Sequence, residues 1–211
     1  MTSRGSGKRV RKAPAERRNE IVGTAARIGL TEGLECVTLR RVADELGVQP
    51  GLVGHYFPAA DQLVAEAFTS ATMAELDALL PEPGSEGAGG PLETFRAFFG
   101  LTSSADFDNI SRLWLNARHL SRYRSVLRDH VVAQELLWCR RIEELITAGV
   151  TSGVFTCPDP WAAATRVLVA IDGASAYVNT SADHRREPTA DMARVVAEAE
   201  LGVGRGALAG G

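Results

Sequence analysis

Apolar positions return at helical spacing along most of the chain, and turn-forming residues cut that pattern into segments. The first helical stretch starts near Ala15. Ile21, Ala25, Ile28 and Gly29 recur there every three or four residues, with Val22 and Ala26 beside them. Gly29 and Gly33 bracket its end, and Gly33 suits the position just past a helix. Thr38 precedes LRRVADELG, which places Leu39, Val42, Ala43 and Leu46 on one face. Its hydroxyl can accept an orphan backbone N–H, so Thr38 is a natural N-cap. Gly47 closes that helix, and Gln49-Pro50-Gly51 opens a short one running to about Phe57. Further helices are predicted over 60–80, 91–103, 107–121, 124–150, 160–178 and 189–203. Asp159-Pro160 is a strong start signal, a capping residue followed by a proline at the first helical position.

These elements predict an all-α protein with an N-terminal three-helix helix-turn-helix domain over 15–58. A helical body for ligand binding and dimerisation follows over 59–204. A basic disordered tail (1–14) precedes them, a short disordered tail (205–211) follows, and PEPGSEGAGG (81–90) is a linker by composition. No internal repeat or strand-like alternation of useful length interrupts the pattern.

Charge sharpens this picture. The 211 residues carry a formal net charge of −3. Residues 1–57 nevertheless hold ten Lys and Arg against six Asp and Glu, and the remainder holds thirteen against twenty. A basic first quarter on an acidic body suggests a local polyanion contact. The three cysteines, Cys36, Cys139 and Cys157, have neither metal-ligand nor redox spacing and read as idle thiols in a reducing compartment. The basic N-terminus has no apolar core behind it, and no apolar run is long enough to span a membrane. The expectation is a cytoplasmic protein without a membrane partner.

TLRRVADELGVQPGLVGHYF (38–57) concentrates the functional signal. Two short helices meet through a tight turn, and Leu39, Val42, Leu46, Val48, Val53 and Phe57 lock them together. The outer face of 49–56 is left free to enter a major groove, which admits one helix. Spacing alone also fits a plain helical hairpin. The exposed His55-Tyr56 end and the basic Arg40 and Arg41 argue for the groove.

Residues 17–68 resemble the TetR family of bacterial regulators. The resemblance is carried by Ile21, Ala25, Ala26, Leu30, Gly33, Thr38, Arg40, Val42, Ala43, Gly47, Val48, Gly51, Val53, Tyr56, Phe57 and Leu63. GVTSGVFTCPDPWAAATRVLVAIDGA (149–174) is similar to the effector domain of the betaine-inhibitor branch of that family. The resemblance implies that Thr38 and Tyr56 bond phosphates and that Arg40 touches a phosphate or a guanine edge. It implies that Gln49, Gly51, Leu52 and His55 face bases or sugars. Two positions depart from the family pattern. Gly54 stands where a large aromatic is usual, and Ala60 stands where a phosphate-binding lysine is usual. Arg4, Lys8, Arg9, Arg11 and Lys12 of the tail can offset those losses.

Residues 91–150 are rich in aromatic and polar-aromatic groups. Phe95, Phe99, Trp114, Arg118, His119, Trp138 and Arg141 are the candidate ligand-pocket residues, set against an ordinary core role for each. Arg118 or Arg141 would favour an apolar or aromatic ligand with one polar or anionic end. Helix 160–178 carries a stripe of small residues, Ala163, Ala164, Val167, Ala170, Ile171, Ala174 and Val178. With helix 189–203 it predicts a homodimer interface as in the family, with Asp172 paired there.

Catalysis finds no support. There is no nucleophile elbow, no phosphate-cradling glycine loop and no zinc-protease motif. The four histidines, His55, His119, His130 and His184, have no metal spacing. The expectation is a homodimeric, non-enzymatic repressor of double-stranded operator DNA, released by a small-molecule effector, with no cofactor and no metal. A DNA-binding regulator without such an effector, constitutive or controlled by a protein partner, is the alternative.

Overall fold

A computed structural model describes residues 13–82, 89–102, 107–186 and 188–209, apart from the side chain of Ala182. Residues 1–12 of the expected tail and 83–88 of the expected linker lie outside the described residues. Every regular element among the described residues is helical. The helices are α1 (Pro14–Glu32), α2 (Leu39–Leu46), α3 (Pro50–Tyr56), α4 (Ala60–Leu79), α5 (Pro91–Thr102), α6 (Asp108–Ser121), α7 (Ser125–Thr151), α8 (Pro160–Thr180) and α9 (Met192–Glu200).

Local chemistry sets the early boundaries. Gly33 ends α1 at φ 102°, a conformation that L side chains rarely adopt. A 3-10 turn over Leu34–Cys36 follows. Thr38 Oγ1 accepts the Arg41 N–H at 3.0 Å, which caps α2. Gly47 takes the left-handed conformation at φ 62° and turns the chain into α3. Ile21, Ala25, Ile28, Val42, Val53 and Phe57 are fully buried and bind α1–α3 into one small core.

Helix α4 leaves that head and enters the body. It packs on α1 at one end and on α7 along its length. Arg18 of α1 pairs with Glu66 of α4 at 2.6 Å. Thr72 donates to Gln134 of α7 at 3.0 Å inside the buried layer. Helices α6, α7 and α8 pack mutually, and α9 lies on α8. Gly149 of α7 is sterically required, because a Cβ there would sit 2.0 Å from the Phe155 ring.

Three expectations are corrected. The last helix starts at Met192 rather than 189, with turns before it. Residues 205–209, expected within a disordered tail, pack onto the body. Leu208 is fully buried, its N–H donates to Glu198 Oε1 at 3.1 Å, and Arg96 Nε donates to the Ala207 carbonyl at 2.8 Å. Four residues of the small-residue stripe of α8, Ala163, Ala164, Val167 and Ile171, are buried within the protomer, whereas Ala170, Ala174 and Val178 are half-buried. The outward face carries Val169, Gly173, Ala176 and Tyr177 instead, beside exposed Met192 and Val195 of α9.

Candidate nucleic-acid interface and ligand cavity

The seven sequence-predicted contact residues fall on one turn-helix unit. Thr38, Arg40, Gln49, Gly51 and His55 are exposed, while Leu52 and Tyr56 are half-buried. Thr38 uses its oxygen to cap α2, which leaves the hydroxyl proton to donate outward. Gln49 is the N-cap residue of α3 without a side-chain cap bond, so its amide points away from capping duty. The His55 and Tyr56 rings stack edge-on, 5.4 Å apart. Gly54 has room for a side chain, the nearest atom to a Cβ being Leu39 Cδ1 at 4.0 Å.

The electrostatics of this head differ from the simple count. Arg41 bonds Glu32 at 2.6 Å and Glu45 at 2.7 Å, and Arg27 takes Glu45 at 2.8 Å. The Arg41 hydrogen bond holds the carboxyls of both Glu32 and Glu45 below the usual range. Arg40 is the most exposed of these cations, with 87% of its side chain accessible and Asp44 only at 4.0 Å. Residues 13–57 hold five Arg against six Asp and Glu. The positive excess of the first quarter therefore resides in residues 1–12.

A cavity of about 370 Å³ lies among α4–α8. Three of the seven predicted pocket residues, Trp114, Arg118 and Trp138, line it together. The other four do not. Phe95 is fully buried among Phe98, Phe99 and Phe155. Phe99 belongs to that cluster and borders a smaller crevice of about 70 Å³. His119 is exposed and meets Tyr123 edge-on. Arg141 is occupied elsewhere, donating to the Leu80 carbonyl at 2.7 Å and pairing with Glu82 at 3.5 Å.

The cavity also holds groups that sequence reading missed. Trp114 Nε1–H donates to Glu75 Oε2 at 3.1 Å. Burial pushes Glu75 up to about 8; the Trp114 bond pulls it down and the Asp172 charge pushes it further up. Arg118 Nε donates to Glu135 at 2.8 Å and Nη2 donates to Asp172 at 2.7 Å. Asp172 thus pairs inside the protomer rather than across a dimer interface. Burial raises its pKa, against the pull of Arg118. The Arg118 guanidinium also covers the Trp114 ring, 5.0 Å from its centre. A carboxylate in an otherwise apolar helical stripe was the available signal for Asp172. Glu75 had none, because its burial depends on helices far away in sequence.

Helix α6 joins the two regions. Between Trp114 and Arg118 it carries Asn116, whose side-chain oxygen accepts the Leu34 N–H of the head at 2.8 Å. No helix among the described residues is long and apolar enough to cross a membrane, and no described cluster of His, Cys, Asp and Glu could hold a metal ion.

No protein-family profile matches the chain. A stretch of 53 residues is 38% identical to the HTH-type transcriptional repressor KstR2 of Mycolicibacterium smegmatis; the match spans 25% of this chain and 26% of that repressor. Solved structures match much more of it. A transcriptional regulator from Saccharomonospora viridis, solved with choline, superposes with a TM-score of 0.68 at 24% identity, covering 86% of this chain and 94% of that one. A TetR transcription regulator from Haloarcula marismortui gives 0.72 at 20% identity, covering 89% and 99%. A TetR-family regulator from Cytophaga hutchinsonii gives 0.73 at 14% identity, covering 91% and 97%. The three-helix head, the bridging α4 and the helical body with its cavity are thus arranged in the fold of the TetR-family regulators.

Proposed function

We propose that this chain is a DNA-binding transcriptional regulator of the TetR type, a homodimeric repressor whose operator affinity falls when a small molecule fills the α4–α8 cavity. The observation that carries this is a single chain holding both an outward-facing turn-helix unit and an aromatic-lined cavity, joined by α4 and α6. Thr38 and Tyr56 would hold phosphates. Arg40, Gln49, Gly51, Leu52 and His55 would meet base or sugar edges in the major groove. One seven-residue helix reads too few bases to be selective, so two are needed, about one helical turn apart. The exposed apolar face of Val169, Tyr177, Met192 and Val195 would join the protomers.

Release follows from geometry. Helices α4 and α6 each touch both head and cavity. A ligand that shifts either one changes the separation of the two recognition helices, and a two-fold operator tolerates little such error. DNA must then lower ligand affinity by the same factor that ligand lowers DNA affinity. The choline bound to the S. viridis regulator supports a small organic effector for this fold. A cytoplasmic, non-enzymatic protein without metal or cofactor fits this role.

Selection of bound fragments from the source genome tests the proposal. Enrichment of sites with inverted half-sites, bound by a dimer, is the expected result. Retention of random fragments only, or a monomer with and without DNA at micromolar concentration, would refute it. A constitutive regulator would bind such sites yet show no change in operator affinity with any ligand that occupies the cavity.

A further inference from the structure

We propose that the turn between α6 and α7 is a second DNA contact, through which Arg122 and Arg128 hold the operator backbone from the body of the protein. This rests on the chain being a DNA-binding regulator, and it adds a phosphate contact outside the turn-helix unit.

Charge sets this turn apart. Beyond residue 57 the chain holds thirteen Arg against twenty Asp and Glu, yet HLSRYRSVLR (119–128) carries three arginines and no acid. Other body arginines are consumed by folding. Arg118, Arg166 and Arg194 each meet a carboxylate at 2.7–2.8 Å. Arg122 and Arg128 are exposed, and neither has an acidic partner among the described residues. Tyr123 lies between them in the chain with 76% of its surface accessible, and its hydroxyl is a further donor to phosphate.

Position supplies the second argument. Arg124, the N-cap residue of α7, lies 3.8 Å from Asp61 in the first turn of α4. Asp61 stands five residues beyond Tyr56, the last residue of α3, and five residues span at most about 18 Å. From there α4 and α7 run side by side in one direction, Thr69 meeting His130 and Thr72 meeting Gln134. The N-terminal ends of both helices therefore lie at the end of the body that adjoins α3. A duplex engaged by α3 carries one charge per about 1.7 Å of its axis, so a cation flanking that helix meets backbone without needing a base.

The local pairing fits this use. The Asp61 carboxylate is 53% accessible and would repel phosphate near the end of α3. Arg124 offsets it, which leaves Arg122, two residues before, and Arg128, one helical turn after, for DNA. The head has few cations of its own to offer, since within residues 13–57 Arg40 is the arginine left largely open to solvent, with 87% of its side chain accessible. The contact also places α6 and α7, which carry Trp114 and Trp138 of the cavity wall, directly against DNA. A shift of either helix then reaches the operator without passing through α4.

Fluorescence anisotropy of the full chain on an operator fragment recovered by genomic selection, measured over a range of salt, tests this. Replacing both residues, Arg122→Gln with Arg128→Gln, should lower the log–log salt slope by about 1.8, at about 0.9 per phosphate, and weaken binding at least about tenfold at low salt. Operator and random DNA should lose alike. Arg122→Lys with Arg128→Lys should keep the wild-type slope, because the charge remains. Arg140→Gln is the control: Arg140 is exposed on α7 about 18 Å beyond Arg128, further than exposed charges act through salt, and its slope should equal that of the wild type. An unchanged slope in the glutamine double variant would overturn the inference and leave the regulator reading intact. So would an equal fall per charge in Arg140→Gln, or a lysine double variant as weak as the glutamine one. A wild type that binds no duplex would instead sink the regulator reading, and this inference with it.

Discussion

Glu75 should make the protein less stable as pH rises through neutrality, and Glu75→Gln should remove much of that loss. The ordinary carboxyl value is 4.5, and burial in α4 takes Glu75 to about 8. Between these values the folded protein holds a proton that the unfolded chain releases. Unfolding is therefore favoured as pH rises, by about 1.4 kcal/mol per pH unit, and the loss stops above pH 8. At pH 7, two and a half units into that window, the cost reaches about 3 kcal/mol as an upper bound. Glutamine keeps the shape and still accepts the Trp114 N–H, but never carries the charge. At pH 7 its melting temperature should exceed that of the wild type by roughly 6–12 °C, and the two should converge near pH 5. Asp172 is also raised by burial and contributes a slope of the same sign to both proteins, so the difference between the curves reports Glu75 together with its charge coupling to Asp172. Urea unfolding at pH 5, 7 and 8.5, at fixed protein concentration, measures it. Parallel stability curves for the two proteins would refute the assignment of a buried, protonated carboxyl.

Further outcomes follow from other residues. Asn116→Ala should leave ligand affinity within about twofold while cutting the ligand's effect on operator binding at least fivefold, because it unties the Leu34 N–H from α6; paired titrations with and without DNA measure both. Thr38→Ala should destabilise by about 1 kcal/mol through the lost cap and weaken binding to all sequences alike, whereas Gln49→Ala should relax preference at particular base pairs by about 1–3 kcal/mol; competition with random DNA separates the two. Gly149→Ala should destabilise by more than about 2 kcal/mol in urea unfolding, since its Cβ would overlap the Phe155 ring. Deleting residues 1–12 removes five Lys and Arg and no acid, so the log–log salt slope of DNA binding should fall by up to about 4.5; an unchanged slope would show that the segment does not touch phosphate.

The head was legible in the sequence because its signals are local. Thr38 and Gly47 cap one short helix within ten residues, and the αL conformation at Gly47 needs no distant partner. The cavity was legible only in part. Trp114 and Trp138 stand out by size, and size favours a cavity wall or a core wherever the helices cross. Partner choice is not local. Arg118 and Arg141 look equivalent along the chain, yet Arg118 meets carboxylates from α7 and α8 while Arg141 meets a backbone carbonyl at the end of α4. The stripe on α8 failed for a related reason. A 21-residue helix packed on α6, α7 and α9 turns part of that stripe into its own protomer, so small residues mark close packing without saying whether the neighbour belongs to the same chain. The same limit applies to charge. Ten cations in 57 residues suggest a basic surface, but within 13–57 four of the five arginines pair closely with acids, and Arg40 stays largely open to solvent. What a sequence count gives is the charge available, and what the fold decides is how much of it remains for a partner. That distinction moves the expected phosphate attraction of the first quarter to residues 1–12 and, in the cavity, commits Arg118 to Glu135 and Asp172.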